Sequence, residues 1–272
     1  MELKKFEKIV TSQWGEDGVI EEIFNRIGTT SKLCCEFGAW DGKHLSNCYD
    51  LWHNKGWGAV LIEGVEERCN ALKEDLKDFD NVKAVNAFVE LSGDNLLDNI
   101  LEREIGDKRL DLLSIDIDSD DYAVFDSLTR KPRVIVIEYN PTIPPHIDLI
   151  QKAGEHLGNS ISSTFKLAKK KGYSLAHITY TNLFLVVNEE FDKLGFEEID
   201  YLRNFPYDKL TCVINTYDGD TILSQPMPYS KYIEPSDPGM RNYVKKRLKK
   251  EEPNRPGFET NGDLVHIKVV AK

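Results

Sequence analysis

The sequence predicts an α/β protein with a mostly parallel sheet of seven strands, helices on both faces and an antiparallel pair at the end of the sheet. Two observations predict this architecture. Apolar, β-branched segments alternate with segments of helical periodicity, and enough chain lies between successive strands for a crossover connection. The last two strand-like segments are instead only about two residues apart, which is the spacing of a hairpin.

Five segments have the apolar, β-branched composition of buried parallel strands. They are KLCCEF (32–37), GAVLIE (58–63), VKAVNAF (82–88), LDLLSID (110–116) and RVIVIEY (133–139). Helical periodicity lies between them, in HLSNCYDLWHNK, EERCNALKEDLKD, GDNLLDNILEREIG and DYAVFDSLTRK. A proline-rich loop, NPTIPPH, and a helix around ISSTFKLAKKKG then precede YSLAHITY and NLFLVVN, the predicted antiparallel pair.

The length of 272 residues accommodates one sizeable core and an appendage. We expect a nucleotide-binding domain over residues 1–190. Residues 191–272 have no strong periodicity and contain several Pro and Gly, so we expect a partly irregular extension that packs on the substrate side.

Charge and composition argue against several classes of partner. A net charge of −11 disfavours a nucleic-acid footprint, and the basic run at 241–250 is typical of a solvated helix face. The sequence has no run of about 18 apolar residues and its start lacks the apolar core of a signal peptide, so we expect a cytoplasmic protein without a membrane span. Five cysteines without C-x-x-C spacing predict reduced thiols.

The loop after the first strand points to a cofactor. In a doubly wound sheet, ligands bind beyond the carboxyl ends of the strands. Here Glu36 is followed by Gly38 and Gly42, and glycine lets the backbone approach a ligand closely. The G-x-G-x-x-G spacing of dinucleotide sites is absent. S-adenosylmethionine has no phosphate, and its positive amino and sulfonium groups suit the acidic Glu36 and Asp41.

Two further residues suit the adenosine part of such a cofactor. Glu63 ends the second strand, where a carboxylate can accept both ribose hydroxyls. Phe88 follows the third strand and could border the adenine ring or pack in the core. Each signal also has a purely structural interpretation, because Gly38 and Gly42 could serve only a turn and Glu63 could cap a helix.

Five motifs together resemble the FkbM-like class I methyltransferases. They are T-S-Q-W-G-E-D-G (11–18), E-F-G-A-W-D-G (36–42), L-I-E-G (61–64), S-I-D-I-D-S-D-D-Y (114–122) and V-I-E-Y-N (136–140). The resemblance covers about residues 8–190 and implies a Rossmann-like class I methyltransferase fold. It also implies O-methylation of sugars or other hydroxylated metabolites, often in polysaccharide or natural-product biosynthesis. The residues that it places around the cofactor are Gln13, Glu36, Gly38, Asp41, Glu63 and Asp116.

The loops after the fourth and fifth strands carry the candidate reacting groups. The predicted acceptor contacts are Asp118, Tyr122, Tyr139 and Asn140. One mechanism uses a general base, either a carboxylate (Asp116 or Glu138) or His146. The other uses Mg²⁺ or another hard cation held by Asp116, Asp118 or Asp121 with Glu138 or Asn140. Alternatively, Asp120 and Asp121 could simply cap the following helix.

The leading hypothesis is an S-adenosylmethionine-dependent O-methyltransferase that acts on the hydroxyl of a carbohydrate, either free or nucleotide-activated. In the second case Arg241 or Lys245 could meet the phosphates of the substrate. Two alternatives are a nicotinamide-dependent oxidoreductase and a non-catalytic binding protein that kept the fold.

Overall fold

The computed structural model describes residues 2–117, 120–152, 155–207, 210, 213–215, 217, 221–223 and 265–267. The chain divides into two compact units, residues 1–206 and 207–272. In the second unit, Val213–Asn215 (β8), Thr221–Leu223 (β9) and Val265–Ile267 (β10) form an antiparallel sheet in the order β10-β9-β8.

A seven-stranded sheet forms the centre of the first unit. Its strands are Leu33–Phe37 (β1), Gly58–Glu63 (β2), Val82–Asn86 (β3), Leu112–Ile115 (β4), Val134–Glu138 (β5), Tyr173–Ile178 (β6) and Asn182–Val187 (β7). The spatial order is β3-β2-β1-β4-β5-β7-β6, and of these seven strands β7 runs antiparallel to the other six. This arrangement confirms the predicted fold class, including the antiparallel pair at the end of the sheet.

One helix precedes the sheet, four lie between successive strands from β2 to β6, and two follow β7. Their bounds are Glu16–Ile27 (α1), Glu66–Asp75 (α2), Leu97–Ile105 (α3), Asp121–Ser127 (α4), Ile161–Lys170 (α5), Asn188–Phe191 (α6) and Tyr201–Asn204 (α7). The helix predicted over HLSNCYDLWHNK is wrong in extent, because only Asp50–Asn54 forms a helical turn, of the π type. In the preceding stretch, Ser46 and Asn47 turn back to bind Glu36, and those bonds replace helical ones.

The sequence analysis did not predict α1 or the segment before it. The apolar face of α1 packs Val19, Ile20 and Ile23 into the core. We call residues 7–15 the N-terminal strap. The strap is held at its start by a hydrogen bond between Glu7 and the buried His177 of β6, with 2.9 Å between Oε1 and Nε2.

The central strands of the sheet are buried on both faces, as expected for a parallel sheet covered by helices, whereas the edge strand β3 is partly exposed. Every residue of β4 and of β7 is buried. The four cysteines that the structure describes, Cys34, Cys35, Cys48 and Cys69, are buried free thiols, as the sequence predicts. In the described part of the chain, no helix has the length and apolar character needed to cross a membrane.

Candidate functional site

The candidate site lies where the strand order reverses. From β1 the chain proceeds outward to β2 and β3, and it then returns to place β4 on the other side of β1. Loops therefore diverge above the carboxyl ends of β1 and β4, and open α/β sheets bind ligands in such a crevice. At this point a Cβ on Gly38 would lie 2.9 Å from the carbonyl oxygen of Asp116, so the two loops pack backbone against backbone.

Gly38 and Glu63, on which the cofactor prediction depends, are neighbours in space. The parallel register pairs Phe37 with Ile62, so the next residues along each strand are Gly38 and Glu63. The N–H of Ala39 donates to the Ile62 carbonyl over 3.1 Å, which extends this pairing into the loop. The glycine turn and the carboxylate therefore belong to the same crevice.

Glu63 is a buried carboxylate held by backbone donors. Oε2 accepts the N–H of Trp40 over 2.8 Å, and Oε1 accepts the N–H of Val65 over 2.8 Å. We call residues 38–47 the glycine loop. Trp40 in this loop has φ +48, one of the few positive φ values in a residue other than glycine, so the backbone of the glycine loop is bent to reach Glu63. Because a carboxylate oxygen accepts two hydrogen bonds, each oxygen keeps one site for a ligand hydroxyl.

Phe88 lies on the surface next to Glu63 and not in the core. Its side chain is 66% exposed, and its ring covers Gly64 so closely that a Cβ there would lie 2.4 Å from ring carbons. The amide of Asn86 donates to the carbonyls of Glu63 and Gly64 and fixes the two strand ends together. An exposed aromatic face beside a carboxylate suits a nucleoside.

Glu36 is buried beneath the glycine loop. Its carboxylate accepts the Ser46 hydroxyl and, over 2.8 Å, the N–H of Asn47. Burial raises the pKa of Glu36, and the negative charge of Asp17 adds to the rise, although the hydrogen bonds oppose it. Glu36 therefore both orders the loop and places an acidic group under the crevice.

Asp41 and Gly42 have local roles in the turn. Asp41 is exposed, and its Oδ1 accepts the N–H groups of Lys43 and His44 over 2.9 and 2.7 Å. Partial burial would raise the pKa of Asp41, but these backbone donors outweigh it and lower the pKa. Gly42 has φ +71 and packs against Leu72. The contacts of Asp41 and Gly42 are therefore explained by their part in forming the turn.

The strap runs along the same edge of the sheet. Ser12 forms a bridge with Leu45 in the glycine loop, and the Thr11 hydroxyl donates to the Ser46 carbonyl over 3.2 Å. Gln13 lies exposed on this segment. Trp14 packs edge-on against Tyr180, with 4.8 Å between ring centroids. The strap therefore brings the S-Q-W-G-E-D motif beside the crevice.

The two candidate reacting carboxylates end neighbouring strands. The register pairs Ile115 with Ile137, so Asp116 and Glu138 come next on β4 and β5, and both side chains are half-buried. Glu138 is also paired with Asn182 at the start of β7. This arrangement brings together the carboxylates that the sequence analysis considered as general bases.

The segment between β5 and α5 is pinned by its own polar groups. The Asn140 carboxamide accepts the N–H and hydroxyl of Thr142 and donates to the Leu157 carbonyl. Tyr139 is only 1% exposed, and its hydroxyl donates to the Thr179 carbonyl over 3.2 Å. The side chain of Tyr139 therefore packs in the core, and the side chain of Asn140 holds the segment in place through its hydrogen bonds. His146 is exposed in a turn of the same segment.

The remaining predicted acceptor and metal residues lie around α4. Tyr122 is half-buried, and burial together with the charge of Asp126 raises its pKa. Asp121 is buried and accepts the N–H of Ile117 over 2.9 Å, so it closes the turn before α4. Asp118 lies outside the described residues. Among those that are described, no group of three or more His, Cys, Asp or Glu side chains could hold a metal ion.

Exposed apolar side chains surround this edge of the sheet. Large apolar side chains that the structure leaves exposed on the strap and on the loops after β1, β3 and β5 are Ile9, Val10, Trp14, Trp40, Leu45, Phe88, Leu91, Ile147, Ile150 and Leu157. Small-molecule sites are mostly apolar and contain a few placed polar groups. Of these exposed apolar side chains, the sequence analysis considered only Phe88 for the site. An apolar residue in a loop has the same sequence signal whether it is exposed or packed in the core.

Comparisons with known proteins concern the fold alone. No protein-family model and no curated protein matches the sequence. A putative caffeoyl-CoA O-methyltransferase from Staphylococcus aureus is 13% identical over 68% of this chain and 88% of its own, with TM-score 0.44. The CMeT domain of the citrinin polyketide synthase is 12% identical over 63% of this chain, with TM-score 0.44, and this chain spans about half (51%) of its length.

A third similar structure is the N-terminal domain of EvdMO1 in the presence of SAH and D-fucose. It is 15% identical over 63% of this chain and 80% of its own, with TM-score 0.42. The names and ligands of these structures are properties of those proteins.

Proposed function

We propose that this protein is an S-adenosylmethionine-dependent methyltransferase that methylates a hydroxyl of a carbohydrate, either free or nucleotide-activated. The observation that carries the proposal is that Gly38 and Glu63 come directly after the paired residues Phe37 and Ile62, at the carboxyl ends of β1 and β2. A close-approach glycine and a carboxylate with two remaining acceptor sites suit an adenosyl ligand that has no phosphate.

The residues of the crevice fit the separate parts of this cofactor. Glu63 would accept hydrogen bonds from the ribose and the exposed ring of Phe88 would cover the adenine, while Gly38 lets the loops after β1 and β4 pack together beside them. The acidic Glu36 lies under the same loop and favours a cationic ligand. When bound, the cofactor supplies a methyl group that is electrophilic because it is attached to a positively charged sulfur.

The chain supplies the groups that act on the acceptor. Asp116 and Glu138 end adjacent strands, so either carboxylate can accept the proton of the acceptor hydroxyl as that oxygen becomes the nucleophile. The apolar surface of the strap and loops excludes water from the reacting oxygen. His146, exposed in its turn, is the remaining candidate for this proton transfer.

A carbohydrate acceptor is supported by the FkbM-like motifs and by one structural feature. Glu138 is paired with Asn182, so the turn that carries Tyr180 lies beside the end of β5. Trp14 packs against Tyr180 at this point and is 39% exposed. Exposed aromatic rings with polar edges can pack on the C–H face of a sugar while carboxylates accept hydrogen bonds from its hydroxyls.

Thermal unfolding with added nucleotides tests the cofactor class. We expect S-adenosylhomocysteine to raise the Tm and NADH to leave it unchanged, since only a ligand that binds the folded state stabilises it. Stabilisation by NADH alone would show an oxidoreductase instead. Methyl-labelled S-adenosylmethionine is then incubated with a panel of monosaccharides and nucleotide sugars. Cofactor binding without labelling of any panel member would contradict the carbohydrate assignment.

Replacing Gly38 by alanine is expected to lower both stability and cofactor affinity. Gly38 has φ +75, and the added Cβ would meet the Asp116 carbonyl at 2.9 Å, so the β1 and β4 loops must separate. Gly195 is a matched control because it has φ +76 and an added Cβ there would meet nothing within 4 Å. Gly195→Ala should cost only the conformational strain of about 1–2 kcal/mol.

Urea unfolding and calorimetry with S-adenosylhomocysteine measure the two effects. Gly38→Ala should lose more stability than Gly195→Ala and should bind the ligand at least about tenfold more weakly, which corresponds to about 1.4 kcal/mol. Equal losses of stability in the two variants, with ligand affinity unchanged in both, would show that the Gly38 contact with Asp116 has no part in the site.

A further inference from the structure

Asp17, at the start of α1, binds the described part of the chain through only one of its two carboxylate oxygens. Oδ2 accepts the N–H groups of Val10, Thr11 and Ser12 over 2.8, 3.0 and 2.9 Å and the Ser12 hydroxyl over 2.6 Å. Asp17 is 4% exposed, and its Oδ1 is buried without a hydrogen-bond partner among the residues that the structure describes. Buried carboxylate oxygens are nearly always hydrogen-bonded, so this atom indicates a missing donor.

Asp17 is bound to the part of the strap that contacts the glycine loop. The four donors around its Oδ2 come from residues 10–12 of the strap. Ser12 is bridged to Leu45, and the following residue, Ser46, donates its hydroxyl to Glu36. The charge of Asp17 also contributes to the raised pKa of Glu36, which indicates that the two carboxyl groups are close.

The charge of these groups is not neutralised by the described part of the protein. Neither Asp17 nor Glu36 forms an ion pair with a Lys, Arg or His among the described residues. The adjacent Glu16 is fully buried, and the donors that its carboxylate finds in the described part of the chain are neutral: the N–H of Trp14, the Thr179 hydroxyl and the Asn182 amide. Buried carboxylates are costly unless a cation or a proton compensates them.

We propose that Asp17 is a cofactor-binding residue that acts with Glu36 to recognise the α-ammonium group of the S-adenosylmethionine amino-acid end. This inference rests on the proposed function. An ammonium group carries both the N–H donors that Asp17 Oδ1 lacks and the positive charge that the buried carboxylates lack. Asp41, which the sequence analysis placed in this role, is exposed and already accepts two backbone N–H groups.

Two ligands that differ in the amino-acid end separate recognition from folding. S-adenosylhomocysteine carries the ammonium group, whereas 5′-methylthioadenosine has the same nucleoside and lacks the amino-acid part. Calorimetry on Asp17→Asn should show S-adenosylhomocysteine binding about 10- to 100-fold more weakly, the loss expected for a charged hydrogen bond. The affinity for 5′-methylthioadenosine should stay within about twofold.

A matched variant controls for charge. Glu22→Gln removes a carboxylate from the same helix, where Glu22 pairs with Arg26, and should change neither affinity. Equal weakening of both ligands by Asp17→Asn would overturn the inference, because the carboxylate would then act only by holding the strap. Unchanged binding of S-adenosylhomocysteine would also overturn it.

The failure of the proposed function gives a different result. Wild-type protein that binds neither ligand would refute the cofactor assignment itself. Should circular dichroism show that Asp17→Asn is unfolded, the same pair of ligands is measured on Glu36→Gln. Selective weakening of S-adenosylhomocysteine is again expected, and a parallel loss of both ligands would overturn the inference.

Discussion

Replacing Glu63 by alanine is expected to weaken the binding of S-adenosylhomocysteine by about 100-fold or more. A hydrogen bond to a charged group contributes about 1.5–3 kcal/mol, and Glu63 would lose two such bonds to the ribose hydroxyls. Each 1.4 kcal/mol corresponds to about tenfold in affinity. The same change also removes the acceptors of the Trp40 and Val65 N–H groups, so the glycine loop would lose its anchor.

Calorimetry on three proteins separates these two contributions. Glu63→Gln keeps one carbonyl oxygen and the side-chain volume but removes the charge, so it should weaken binding less than Glu63→Ala. Glu67→Ala removes an exposed carboxylate from α2 and should leave the affinity unchanged. Wild-type affinity in Glu63→Ala, with the fold intact by circular dichroism, would remove Glu63 from the site.

The strands were predictable because their signal is local. A run such as GAVLIE is apolar at every position but its last, and the observed β2 has the predicted bounds of 58–63. The helix predicted over 44–55 was wrong because its periodicity competes with the buried carboxylate of Glu36, which binds Ser46 and Asn47. That competition involves residues about ten positions apart and cannot be seen in a helical pattern.

The same distinction applies to the site. The proximity of Gly38 and Glu63 could be predicted because each follows or ends a recognisable strand, and parallel strands place their ends together. The burial of Tyr139 depends on the Thr179 carbonyl, forty residues away in the chain, and no local pattern reveals it. Asp17 stood within the S-Q-W-G-E-D motif, which was the one signal in the sequence, but only the structure shows that one of its oxygens lacks a donor.

Replacing Arg133 by methionine is expected to destabilise the protein by about 3–5 kcal/mol, the usual cost of removing one partner from a buried ion pair. Arg133 is 1% exposed and lies just before β5. Its guanidinium donates to Asp111 Oδ1 over 2.7 Å, to Glu190 and to the Gly28 carbonyl over 2.9 Å. The side chain therefore joins the end of α1 to the starts of β4, β5 and α6.

A surface pair in the same region is the control. Lys131 pairs with Glu189 over 2.8 Å, but both side chains are largely exposed, so Lys131→Met should cost less than about 1 kcal/mol. Urea unfolding at neutral pH compares the two variants with wild type. A loss in Arg133→Met as small as that in Lys131→Met would show that the buried charges are compensated without the guanidinium.

The pH dependence of the Arg133→Met loss distinguishes charge from packing. Burial would raise the pKa of Asp111, but Arg133 and the donors of Thr30 and Lys32 outweigh it and lower the pKa. Arg133 likewise lowers the pKa of Glu190. A lowered pKa stabilises the fold above the unfolded-state pKa of about 4, and this stabilisation disappears as the pH falls through the folded-state pKa.

In wild type, both carboxylates therefore favour folding at neutral pH and cease to do so in acid. Without Arg133 the pKa of each carboxyl group rises, so the variant has less of this stabilisation to lose. The difference in unfolding free energy between wild type and Arg133→Met should be greatest above about pH 5 and should shrink as the pH falls below the carboxylate pKa range. Urea titrations at a series of pH values measure that difference. A constant difference across the series would mean that Arg133 contributes by filling space between α1 and β5 and not by its charge.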